Sequence, residues 1–358
     1  MQDYLRQSDE STMSEKNNCK ENNFIIRSYR NGDEIRINEM FNEVFRQNRD
    51  ISHWYWKYRD NPNGPSVISL AESAEGTFAA HFGAYPLKLF YFPRGSTTPE
   101  ESTIYHAGDK MSRRQFRSAG FGKSSLLART FHQLTEAPKQ LDTAFTFGFM
   151  THHSLRFGLL LLNYQLIEPV PYRRLEWSRL SEIRIPSYRK LFKGIRAEHV
   201  SGADETWTEF FSGVAPDYTC LVKRDAAYIT WRYFQRPDRE YFVVGMKRKS
   251  RLAGWSVFFR EGNKIVWGDA LYAKGDSDCV RAALMFLRTH PFAEGAEYIE
   301  CWFPPRPAWW DSILHSLGFR NDTEPDSLCF CIGIMKDSKA LERSKNMLYY
   351  TKVDSDLF

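Results

Sequence analysis

Residues Arg117-Ser118-Ala119-Gly120-Phe121-Gly122-Lys123-Ser124 place two glycines between two cations and end on a hydroxyl. Ahead of them Ile104 to Met111 reads as a strand, and behind them Ser124 to Phe131 reads as the start of a helix. A strand, a glycine turn and a helix N-terminus form an anion cradle, because successive backbone N–H groups converge there and the helix dipole adds partial positive charge. Gly120 and Gly122 lack a Cβ, so a phosphate can approach the main chain. The segment predicts a pyrophosphate-bearing ligand. It is neither Gly-x-x-x-x-Gly-Lys-[Ser/Thr] nor Gly-x-Gly-x-x-Gly, which argues against an ATP P-loop and a dinucleotide fingerprint. On the strand itself, Asp109 and Met111 share a face by alternation. Asp109 is a candidate general base or cation anchor, and His106, of opposite parity unless a bulge intervenes, is a second candidate base.

The elements that must position this loop follow in order. Phe24–Tyr29 reads as a strand. Ile35, Ile37, Met40, Phe41, Val44 and Phe45 have helical spacing after Gly32-Asp33, a turn with Asp33 as N-cap. Strands are predicted over Val67–Glu72 and Phe78–Phe92, then over Thr143–Met150 and Gln165–Glu168, with a helix over Ser154–Leu162 between the last two. With the loop pattern Arg-x-x-Gly-x-Gly, this β-α-β-β-β-α-β-α-β order over residues 24 to 177 resembles the GNAT (N-acetyltransferase-like) acyltransferase superfamily. The resemblance implies an α+β fold of mixed, mostly antiparallel sheets flanked by helices. It also implies acetyl-CoA or another acyl-CoA as co-substrate, held over Arg117 to Ser124, with the Met111 amide on the thioester carbonyl. Many members carry a tyrosine acid where this chain has Leu159, so that acid is missing here.

A second copy is legible. Trp56-Lys57-Tyr58-Arg59-Asp60-Asn61-Pro62 reappears as Trp231-Arg232-Tyr233-Phe234-Gln235-Arg236-Pro237, and a repeat of that length means duplicated domains. The second copy has Asp276-Ser277-Asp278 where the glycines should be, so it has lost the cradle. The resulting division is a flexible tail over 1–23, a loaded GNAT domain over 24–180, a linker or insertion over 181–215, a degenerate GNAT-like domain over 216–335 and a C-terminal tail over 336–358. Residues 336–349, like 1–23, are expected to be mobile.

Composition bounds the rest. Lys and Arg exceed Asp and Glu by only five, with no dense basic run, so nucleic acid is not an expected partner. Six cysteines without framework spacing suit a reduced, cytoplasmic protein. No apolar run reaches membrane-spanning length, and Leu159–Leu162 reads as a buried helix face. No Cys-x-x-Cys or His-x-x-x-His spacing suggests a metal. Trp56 and Tyr58 are candidate core plugs or an aromatic wall for the acceptor, and His152 and His153 are candidate acceptor contacts at a helix start. The expected activity is transfer of an acetyl group from acetyl-CoA directly to a small-molecule amine. By resemblance to bacterial members encoded with polysaccharide biosynthesis genes, that amine is an amino sugar or sugar nucleotide, and Asp354 and Asp356 near the chain's end are further acceptor contacts. A non-catalytic acyl-CoA-binding or scaffold role is the alternative. The oligomeric state is not legible.

Overall fold

The computed structural model describes residues 24–140, 143–182, 194–334 and 339–358. The tail expected over 1–23 lies outside them. In chain order the strands are β1 (Phe24–Ser28), β2 (Val67–Ser73), β3 (Phe78–Tyr91), β4 (Glu100–Ser112), β5 (Thr143–Met150), β6 (Tyr164–Pro169), β7 (Tyr172–Glu176), β8 (Ile195–His199), β9 (Cys220–Val222), β10 (Phe242–Arg248), β11 (Arg251–Glu261), β12 (Lys264–Tyr272), β13 (Tyr298–Cys301), β14 (Arg320–Asp322), β15 (Cys329–Ile334) and β16 (Leu348–Tyr349). They form two mixed sheets, ordered β1-β2-β3-β4-β5-β15-β6 and β14-β7-β13-β12-β11-β10-β8. β9 extends the first sheet by pairing with β3 and β16. The fold is therefore the expected α+β arrangement.

Each unit lends the other a strand. β7 follows β6 in the chain but pairs with β13 and β14 in the second sheet, and β15 returns to fill the slot between β5 and β6. The sequence pattern misses this exchange because a strand's alternation does not say which sheet receives it. The stretch 181–215, read as a linker or insertion, carries β8, which pairs with β10 as β1 pairs with β2. It also carries the helix Glu205–Val214, capped by Asp204 and buried through Trp207, Phe211 and Val214. Residues 348–358, part of the expected C-terminal tail, include buried Leu348, Tyr349, Tyr350 and Phe358.

β4 is covered on both faces, as a central strand of this kind requires. Ile104 belongs to the core shared with the second unit, whereas Tyr105 and Ala107 pack under the helices Leu126–Gln140 and His152–Leu161. The latter helix exposes Leu159 and Leu160, so that leucine run is not the buried face expected of it. Asp33 occupies the cap position before the helix Glu34–Phe45 but makes no side-chain cap bond, because Arg27 takes its carboxylate at 2.7 Å.

The repeated Trp-[Lys/Arg]-Tyr motif sits at the junction of the units. In both copies the chain makes a π turn, with Asp60 N–H donating to Tyr55 O at 2.8 Å and Gln235 N–H to Thr230 O at 3.0 Å. The Trp56 indole donates to Trp231 O at 2.7 Å and the Trp231 indole to Trp56 O at 2.8 Å. The two rings stack 5.2 Å apart at 18°. Satisfying each N–H lets both large rings be buried at no polar cost. Trp302 and Trp310 are fully buried in the second unit's core.

Candidate active site

After β4 the chain makes a short 3₁₀ turn (Arg114–Phe116), then a second one at Gly122–Ser124, before the helix Leu126–Gln140 begins. Gly120 has φ +81°, and a Cβ there would lie 2.3 Å from Ser124 O, so this turn admits only glycine. Gly122 has φ +59°, and a Cβ there would meet no atom within 4 Å, so that side of the loop is open. Ser124 Oγ accepts from Phe121 N–H. The N–H groups of Gly120, Gly122 and Lys123 have no partner among the described residues. Arg117 folds back onto Ser112 O while its charge stays exposed, and Lys123 is exposed beside it. Arg113 is taken by Glu43 and Phe78 O. Ser118 and Phe121 are exposed and Ala119 is buried. The loop thus presents unpaired donors and two cations on an open face, which is the chemistry of an anion site.

The strand leading into the loop separates from its neighbour. β4 and β5 pair in parallel through Thr103–Thr143, Tyr105–Thr146 and His106–Phe147, and among the described residues no pairing follows. Main-chain groups of β4 from Gly108 onward therefore have no β5 partner among the described residues, in a fork that opens toward the glycine loop. Met111 lies in this stretch with its side chain buried.

A bulge sets the side chains here. Gly83 pairs with Gly108 and His81 with Met111, so Asp109 and Lys110 together oppose Phe82, and Asp109 takes φ +47°. The extra residue cancels the parity difference, and His106 and Asp109 meet one network. The Asp109 carboxylate receives Arg49 Nη1 at 2.6 Å and Lys57 Nζ at 2.9 Å. Lys57 Nζ also binds Asp356 Oδ2 at 3.0 Å, and Asp356 Oδ1 lies 3.5 Å from His106 Nδ1 and 3.4 Å from Tyr85 Oη. Burial alone would raise the Asp109 carboxyl, but Lys57 and Arg49 together hold it far below the usual carboxylate range. His106 and His81 are buried, which pushes each imidazole down to about 4 despite nearby carboxylates. His81 Nδ1 lies 2.8 Å from Asp109 O. At neutral pH both rings are neutral and Asp109 is anionic.

The second unit repeats the framework without the cradle. Arg224 holds Asp269 at 2.9 Å as Arg49 holds Asp109, and Tyr233 donates to Asp269 at 2.6 Å. Asp269 likewise follows a glycine at a β-bulge. Where the first unit has its open loop, Asp276 caps the helix Ser277–Thr289 and pairs with Arg248 at 2.8 Å. A carboxylate of the chain thus fills the anion position.

The other predicted site residues are placed plainly. Trp56 and Tyr58 are buried in the core between the units. His152 and His153 are exposed in the first turn of their helix, rings 6.0 Å apart. Among the described residues no three His, Cys, Asp or Glu side chains group as a metal site, and no helix is long and apolar enough to cross a membrane. Arg49, Lys57 and His81 were not singled out from the sequence. Arg49 was within reach of the repeat, since Arg49-Asp50 and Arg224-Asp225 keep the spacing of Trp56 and Trp231.

No family model matches the sequence, and no curated protein does. Solved structures do match its shape. A conserved protein of unknown function from Enterococcus faecalis V583, a probable N-acyltransferase, aligns with a TM-score of 0.64 at 8% identity, over 87% of this chain and 72% of that one. A tandem GNAT protein from the clavulanic acid biosynthesis pathway aligns at 0.56 and 10% identity, over 88% of this chain and 100% of that one. Saccharomyces cerevisiae N-myristoyltransferase with bound myristoyl-CoA aligns at 0.52 and 11% identity, over 89% and 84%. The class is defined at the level of fold: this chain has the tandem GNAT fold, two units in one polypeptide.

Proposed function

We propose that this protein is an acyl-CoA-dependent acyltransferase that moves an acetyl group from acetyl-CoA directly to an amine. The observation that carries the reading is the fork between β4 and β5 beside a glycine loop with unpaired N–H donors, present in a unit whose sister has its loop closed by Asp276. The pyrophosphate would lie on Gly120, Gly122 and Lys123, flanked by the Arg117 guanidinium. The thioester would enter the fork, its carbonyl facing the unpaired β4 main chain near Met111.

The reaction needs little else. The ammonium of the acceptor gives up one proton to a base, and the neutral amine attacks the thioester carbon. The C–N bond forms, the C–S bond breaks, and the departing thiolate takes up the second amine proton. Holding the two reactants together supplies most of the rate. Of the two candidate bases, His106 fits proton acceptance, being neutral and without a hydrogen-bond partner among the described residues. Asp109 fits the role of anchor, because two cations hold its charge and the same Arg–Asp pair recurs in the unit without a cradle. An amino sugar or sugar nucleotide is the first acceptor class to test, and longer acyl-CoAs belong in the same screen.

The test is thiol release from acetyl-CoA across a panel of amines, for the wild type and for the Gly120→Asp, Gly122→Asp double variant. Release that depends on an amine and vanishes in the double variant supports the reading. A well-folded wild type that releases no thiol from acetyl- or longer acyl-CoA with any amine overturns it.

A further inference from the structure

The segment Thr351–Phe358 runs through the junction of the units, pinned to the second unit on both sides of Asp356. Upstream, Thr351 Oγ1 donates to Asp269 at 3.0 Å, and Arg224 Nη2 donates to Asp354 at 2.7 Å. Arg232 Nη2 then takes Val353 O at 2.9 Å, Ser355 O at 3.2 Å and Phe358 O at 2.7 Å. Downstream, the Phe358 ring lies over Gly268 so closely that a Cβ there would fall 1.8 Å from it. Every one of these clamps belongs to the second unit. Asp356, between them, turns the other way and reaches the first unit's Lys57, His106 and Tyr85. It passes over Gly108, where a Cβ would lie 2.5 Å from Asp356 Oδ2 and 2.8 Å from Lys57 Nζ and displace both tips.

Asp356 is also the network's contact with water. Its side chain is 32% exposed, against 5% for Lys57 and 3% for His106. Lys57 already has Asp109 as a partner, so a second carboxylate is not needed to neutralise it. His106 has neither ring nitrogen hydrogen-bonded among the described residues, and its Nδ1 faces Asp356.

We propose that Asp356 is a positioning residue for His106: it holds the ring proton on Nδ1, leaves the enclosed Nε2 lone pair as the site that takes up a proton, and draws closer when the imidazolium forms. The second unit, with its own cradle closed, would then act on the first unit's chemistry by delivering this carboxylate. The inference rests on the acyl-transfer reading for its purpose but on the 3.5 Å pairing for its geometry. The charged groups around His106 are Asp356 on the tail, Lys57 on the π turn, Lys110 on its own strand and Arg232 from the second unit, with Tyr85 and Phe147 against its ring. Asp356 is the anion paired with the ring, so its loss makes the imidazolium less favourable.

The experiment is an NMR titration of ¹⁵N-histidine-labelled full chain, wild type, Asp356→Asn and Asp356→Glu. The expected wild type is the Nδ1–H tautomer titrating near 4. In Asp356→Asn the tautomer preference is lost and the ring becomes at least about tenfold harder to protonate, and Asp356→Glu restores both. Thiol release in Asp356→Asn falls with its acid limb moved to lower pH, whereas a purely structural role would lower the rate without moving the limb. An Nε2–H tautomer in the wild type, which needs no variant to fold, or an unchanged His106 titration in Asp356→Asn, overturns the proposal. Neither NMR reading needs an acyl donor, so this failure is told apart from a failure of acyl transfer itself.

Discussion

The two loop glycines have opposite demands, and that contrast tests the cradle. Gly122→Ala adds a methyl that meets no protein atom within 4 Å at φ +59°, so its cost is the left-handed backbone alone, about 1–2 kcal/mol. Gly120→Ala carries the same backbone cost at φ +81°, and its methyl falls 2.3 Å from the main-chain oxygen of Ser124, adding about 1–3 kcal/mol of overpacking. Acetyl-CoA at a hundred times its Kd adds about 2.7 kcal/mol to the folded state, and a hundredfold loss of affinity cuts this to about 0.4 kcal/mol. With an unfolding entropy of about 2.1 cal/mol/K per residue over 358 residues, the wild type should gain about 4 °C in Tm on saturation. Gly122→Ala should lose only about 1–3 °C without ligand, yet its ligand shift should fall below about 1 °C, because the methyl occupies the face offered to the phosphates. Gly120→Ala should lose about 3–7 °C before any ligand is added. Differential scanning fluorimetry with and without acetyl-CoA reads both quantities. A Gly122→Ala protein that keeps the full shift would refute the placement of the pyrophosphate.

Three further outcomes follow from the buried groups. Asp109→Asn leaves Arg49 and Lys57 without their shared anion and should cost about 3–5 kcal/mol in urea unfolding; a loss under 1 kcal/mol would show that water, not this carboxylate, solvates the pair. His81 and His106 titrate near 4 when folded and near 6.5 when unfolded. Their folded values are depressed, so the stability they contribute is present above about pH 6.5 and is lost as pH falls toward 4, roughly 3 kcal/mol for each ring. In His106→Gln the loss across that window should shrink by about half, and an unchanged acid profile would count against the buried neutral ring. Trp56→Ala and Trp231→Ala should each cost about 3–5 kcal/mol, and the double variant should fall short of their sum by about 0.5–3 kcal/mol, since each indole donates to the other's main chain; strict additivity would contradict that exchange.

Most of the first unit could be read in the residues. Thr143–Met150 is a strand with the expected ends, and the six strands and three helices of the family order are in place. These segments are local: their periodicity and their glycine punctuation decide them. What escaped was set by partners distant in the chain. Nothing in Tyr172–Glu176 says that it pairs with Tyr298–Cys301 rather than with β5, and nothing in Cys329–Ile334 says that it crosses back. The bulge escaped for a related reason, since Gly108-Asp109-Lys110 accommodates a regular strand as well as a kinked one until β3 fixes the register at Gly83 and His81. Asp109 could therefore be named, but its companions Arg49, Lys57 and Asp356 come from positions 60, 52 and 247 residues away along the chain. Arg49 and Lys57 left a trace through their copies at Arg224 and Arg232, and Asp356 stood out only as a possible acceptor contact.

That copy separates framework from chemistry. A side chain kept for catalysis has no reason to persist, with its partner, in a unit whose anion position is filled by its own Asp276. Arg49 with Asp109 and Arg224 with Asp269 do persist, as do Trp56 with Trp231, Tyr58 with Tyr233, and a glycine-aspartate step at a bulge in each central strand. These residues hold a forked sheet open and lock two such sheets together. What differs between the copies is a shorter set: the open glycine loop against Asp276, His106 against Val266 at the second residue before the Gly-Asp step, and the exposed carboxylate of Asp356 against the buried ring of Phe358 over the corresponding glycine. Each difference gives the first unit a polar group where the second has an apolar or self-satisfied one. An open glycine loop and a neutral imidazole lie along one strand and its loop, and the second unit's contribution to that strand is the segment that carries the Asp356 carboxylate to it.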